Sequence, residues 1–254
     1  TLEADDDITI NAAVSATNLI TVSAGQDGSG SVVISGTGSL LADNVGNTAD
    51  VTISTGVTTG NVTLTGTTTA DDQVTVASSA AGSINGAGLV TAATVDLNAA
   101  TGIGNTTALE LAATSISADT TSGNVDVDNT LPTVVNVSSL TTTGGSVRID
   151  QSGGGDLTTG IVAATTSATA TNSAGAIALD GSVNAASLVA DASGSVTDGS
   201  DGDLSITANA SITGDAITLG NDAGNGTDFG SLTFNSAGAV VIAEDTATVL
   251  SGTS

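Results

Sequence analysis

The sequence predicts an all-β fold, a parallel β-helix, and three observations carry that expectation. Apolar residues recur at a spacing of two, as in ITI at 8–10 and VTV at 74–76, and not at the 3.6 of a helix. A short unit, Gly-x-φ-x-φ with φ standing for Val, Ile, Leu or Phe, returns along the whole chain. The composition is dominated by Thr, Ser, Gly, Asn, Asp and Val, all poor helix formers.

Taken in chain order, the glycine-led units are GSVVI from Gly30, GNVTL from Gly60, GNVDV from Gly123, GSVRI from Gly145, GAIAL from Gly175, GDLSI from Gly202, GSLTF from Gly230 and GAVVI from Gly238. Their gaps are 30, 63, 22, 30, 27, 28 and 8, which suggests a repeat near 28–30 residues. Between them lie triplets without a leading glycine: ITV at 20–22, VTI at 51–53, VDL at 95–97, LEL at 109–111 and ITL at 217–219. Each run is shorter than a typical sandwich strand, and turn residues separate it from the next. Such strands read as faces of successive coils, with both φ residues inward and the residue between them outward. In VTISTGVTTGNVTLTGTTTADDQVTV (51–76), Val51, Ile53, Val62, Leu64, Val74 and Val76 are therefore expected in the coil interior.

Side-chain supply supports a thin interior. Val, Ile, Leu and Phe make up about a quarter of the 254 residues, enough for a core, yet Phe229 and Phe234 are the only aromatics. The expected array spans 1–254 as about ten coils of roughly 20–30 residues, with a module break near 128–133, where the single proline, Pro132, stands. The alternative is a pair of tandem β-sandwich domains, which short strands with frequent turns also describe.

Charge excludes whole classes of partner. Twenty-six acidic residues stand against one basic residue, Arg148, for a formal net charge of −25. Nucleic acid needs clusters of Lys and Arg to neutralise phosphates, and an anionic membrane needs the same. Copies of such a chain repel one another unless salt or divalent cations screen them, which points to a saline or calcium-containing exterior. Cysteine is absent, so neither a disulfide framework nor a thiolate metal site is available. With no basic n-region and no apolar run near 20 residues, neither a signal peptide nor a membrane span is expected.

Three stretches, LVTAATVDLNAATGIGN (89–105), SISADTTSGNVDVDN (115–129) and the segment 211–252, resemble the repeat regions of giant bacterial surface adhesins of the filamentous-haemagglutinin-like group. The resemblance implies a right-handed β-helix, export to the cell surface and a role in fibres or adhesion. It implies no particular ligand.

Candidate chemistry is sparse. A lyase needs a base, and the chain has no His, no Lys and only Arg148, which VRID places beside Asp150 for a local ion pair. Paired carboxylates such as Asp71 and Asp72 could serve a hydrolase, but aromatic sugar platforms are missing, so no enzyme is expected. Calcium is the one cofactor the acids suggest. DGSDGD offers Asp198, Asp201 and Asp203 within six residues, and GNVDVDN sets Asn124, Asp126 and Asp128 on one outward strand face. The N-terminal Asp5, Asp6 and Asp7 read as a frayed acidic lead-in.

The outward triplet positions Thr9, Thr21, Val33, Thr52, Thr63 and Thr75 suggest an ice-ordering comb, which then turns charged at Asp96, Glu110, Asp126 and Arg148. Sequons at Asn61, Asn105, Asn136, Asn209 and Asn225 are expected by chance in so Asn- and Thr-rich a chain. The functional expectation is a structural extracellular fibre or adhesin shaft that self-associates end to end or continues in a longer chain. The alternatives are a calcium-dependent lectin-like or surface-layer module and, behind it, an ice-binding protein.

Overall fold

The computed structural model describes residues 1–221, 224 and 226–254, and the sequon at Asn225 lies outside them. Among the described residues the regular structure is all strand, stacked in parallel as a β-solenoid of about 11 turns. Sandwich sheets are antiparallel, so the parallel ladders overturn the tandem-sandwich alternative. The chain divides into two compact units, Thr1–Asn129 and Thr130–Ser254.

In the first unit each turn crosses three parallel ladders. One joins Ile8–Ile10, Val32–Ile34, Val62–Leu64 and Ile84–Asn85, and single bridges extend it through Ile103 to Val125. The next joins Ala13–Ala16, Ser39–Ala42, Thr67–Ala70 and 90–91. The third joins Leu2–Glu3, Leu19–Ser23, Asp50–Ser54, Gln73–Ala77 and 94–98. From there Val90–Ala99 runs along Leu109–Thr120 as one long pairing that spans two faces.

The second unit repeats the plan. Its first ladder runs through 135–137, 157–159, Ile177–Leu179, Val196–Thr197, Ile217–Leu219 and Val240–Ile242. Its second runs through 139–141, 161–163, Val183–Ala185, 204–206 and 227–229. Its third runs through Val147–Ser152, Ser167–Asn172, Ser187–Ala192, 209–214, 231–236 and Val249–Thr253.

Alternation sets what is inside. Val51, Ile53, Val62, Leu64, Val74 and Val76 are fully buried, and Thr52, Thr63 and Thr75 between them are only half-buried. Like sits on like from coil to coil: Val51, Val74, Val95 and Ile116 form one column in register. Burying a side chain of this kind contributes about 1.5–3 kcal/mol, and β-branched residues fit the pleat without losing further χ1 freedom.

The repeat near 28–30 residues is corrected. In the second unit Val135 pairs with Leu157, Leu157 with Ile177 and Ile177 with Val196, steps of 22, 20 and 19. The glycine-led units at 147–149, 177–179, 204–206 and 232–234 lie on the third, first, second and third ladders in turn. Their spacing of 27–30 residues is thus about four-thirds of a turn: one full coil plus one face. Only in the first unit, where loops lengthen the coil, does Val32 pair with Val62 at a true turn of 30.

Candidate functional site

Two of the acids expected to gather calcium, Asp198 and Asp203, are directed at backbone amides. In DGSDGD the Asp198 side chain is buried, and its Oδ2 accepts from the Gly220 N–H at 2.5 Å. Asp203 is exposed and accepts from the Gly226 N–H at 2.8 Å, while Asp201 is exposed at the turn between them. Both amides belong to the following coil, and they are six residues apart. Asp126 and Asp128 are half-buried on the outward face of Val125–Thr130, with Asp128 in register with Glu110 of the preceding coil. Like charges in register oppose one another. Among the described residues no group of three or more acidic side chains is gathered closely enough to hold a metal ion.

The same arrangement recurs at other corners. Asp7 Oδ1 accepts from Ser31 N–H at 2.7 Å, Ser31 Oγ from Asn61 N–H at 3.2 Å, and Asn61 Oδ1 from Ser83 N–H at 2.9 Å, a relay over four coils. Asn105 Oδ1 accepts from Asn124 N–H at 3.1 Å, and Asp156 Oδ1 from Ala176 N–H at 2.8 Å. The cause is local. At a corner the backbone turns out of the ladder, and an Asp, Asn or Ser side chain supplies the acceptor that a strand carbonyl would supply elsewhere. Asp7 is therefore no frayed lead-in. Asp71 likewise is engaged, accepting from the Asn44 N–H at 2.6 Å.

This role went unseen in the sequence, although a signal exists. Four of the capping residues stand immediately before an apolar residue of the first or second ladder: Asp7 before Ile8, Asn61 before Val62, Asp156 before Leu157 and Asp203 before Leu204. Reading the acids as clusters along the chain hid a spacing that matters between coils.

The threonine comb also dissolves into two faces. Thr9, Val33 and Thr63 share one ladder, whereas Thr21, Thr52 and Thr75 share another and are followed in register by Asp96 and Ser117. Arg148 does pair with Asp150, Nη2 to Oδ2 at 2.9 Å, and both side chains are a little over one-third exposed. The described sequon residues Asn61, Asn105, Asn136 and Asn209 are exposed, the first two also serving as corner acceptors. Among the described residues no helix is long and apolar enough to cross a membrane. The chain matches no family model, no curated protein and no solved structure.

Proposed function

We propose that this chain is a structural segment, part of the shaft of an extracellular fibre or bacterial surface adhesin, contributing length and an anionic surface. The observation that carries the reading is the use of the polar side chains. Asp7, Asn61, Asn105, Asp156, Asp198 and Asp203 each accept an amide of the next coil, so these side chains bind the protein to itself. Nearest-neighbour cohesion of this sort lets a coil array grow without a wide core. The net charge of −25 supports a location where salt screens it, and the adhesin-like stretches support the cell surface. Electron micrographs of the native material, with and without a chelator, test it. Extended fibres under both conditions support the reading. Isolated compact particles overturn it, and fibres that vanish on chelation would assign the chain to the calcium-dependent modules instead.

A further inference from the structure

In the second unit, the second ladder ends differently from its neighbours. Ile217–Leu219 is followed by the strand Val240–Ile242, and 231–235 by Val249–Thr253. The strand piece 227–229 is met instead by the irregular segment 243–248. There the Glu244 and Asp245 carboxylates replace the carbonyls of a strand: Phe229 N–H donates to Glu244 Oε1 at 2.9 Å and Thr227 N–H to Asp245 Oδ2 at 3.1 Å. The Asp245 N–H returns a bond to the Thr227 carbonyl at 2.9 Å, and Thr246 Oγ1 donates to Asp228 Oδ1 at 2.6 Å. Packing agrees with the bonding. Phe229 is fully buried where this segment meets it, as Leu232 is where Val249–Thr253 meets it.

An added parallel strand would need the Thr227 and Phe229 amides as donors, and both are taken by side chains that also bring two negative charges to the edge. Covering an edge with a loop, and charging it, is how sheets avoid pairing with other chains. We propose that 243–248 is a side-chain cap which keeps the second ladder from accepting a strand of another copy of this chain. The cap stands apart from the fibre reading, because a chain that fails the micrograph test can still keep it.

The test compares two full-length double variants of equal net charge. Glu244→Gln with Asp245→Asn keeps both acceptors; Glu244→Ala with Asp245→Ala removes them. Hydrogen exchange at Thr227 and Phe229 is expected at least about fivefold faster in the alanine variant, with Ile212 unchanged as the check on folding. Sedimentation at matched concentrations is expected to show association of the alanine variant alone. Equal protection of the two amides in both variants overturns the cap, and so does freed amides without any change in association. Should the double alanine variant lose its fold, Glu244→Ala against Glu244→Gln gives the same comparison at the Phe229 bond.

Discussion

Thr159 gives a prediction whose sign is unusual for a core substitution. Its side chain is fully buried, and it stacks between Val137 on one coil and Leu179 on the next. Among the described residues its Oγ1 has no hydrogen-bond partner. It borders a void of about 10 Å³ shared with Leu140, Ile149, Val162 and Leu188, at the lower limit for one water. A hydroxyl buried in that state costs about 1–3 kcal/mol, and Thr159→Val replaces it with a methyl group of the same shape. The variant should therefore be more stable by about 1–2 kcal/mol. Trypsin reads this directly, because Arg148 is the only Lys or Arg in the chain and Ile149 after it is buried within a strand. At low protease, cleavage follows the opened population, so the variant should be cut about 5- to 30-fold more slowly. Thr142→Val is the contrast. Thr142 Oγ1 accepts from the Gly144 N–H at 3.2 Å, so the same exchange there should speed cleavage. Unchanged or faster cleavage of Thr159→Val would refute the reasoning, since the hydroxyl would then be satisfied in solution.

Other substitutions probe the stack and its corners. Leu97→Ala, in a column between Val76 and Ala118, should cost about 2–5 kcal/mol and lower the melting temperature measured by circular dichroism by on the order of 10 °C. Gly155→Ala should open the second unit to trypsin, because a Cβ there would lie 1.8 Å from the Thr133 carbonyl oxygen, a backbone atom that cannot yield without shifting the coil. Asp156→Ala should lose about 0.5–2 kcal/mol with the Ala176 amide bond, while Asp156→Asn should retain most of it, as followed by urea denaturation.

The fold was legible because alternation is a strong signal. A triplet such as Val51-Thr52-Ile53 states its own inside and outside, and the scarcity of aromatics left few architectures open. The turn length was less legible. Gly145, Gly175, Gly202 and Gly230 look like one repeat, yet each leads a different face from the one before it, and only the pairings separate one turn from four-thirds of a turn. The part the acids play between coils was hidden for a related reason. Asp198, Asp201 and Asp203 are neighbours along the chain, but Asp198 and Asp203 act toward Gly220 and Gly226 of the next coil. Contacts about 20 residues apart are invisible to a search for local clusters. Thr21, Thr52 and Thr75 teach the converse, since residues that seemed to continue the row of Thr9 and Thr63 belong to another face.

Hydrogen exchange at the capped amides of Ser31, Ser83, Ala176, Gly220 and Gly226 tests the central claim, that the corner side chains hold coil to coil. With a chelator present and no divalent cation, these five amides should be protected to the level of neighbouring strand amides, and adding calcium should leave them unchanged. Exchange at open-chain rates until calcium is added would contradict the claim, because the carboxylates would then be serving a metal rather than the backbone.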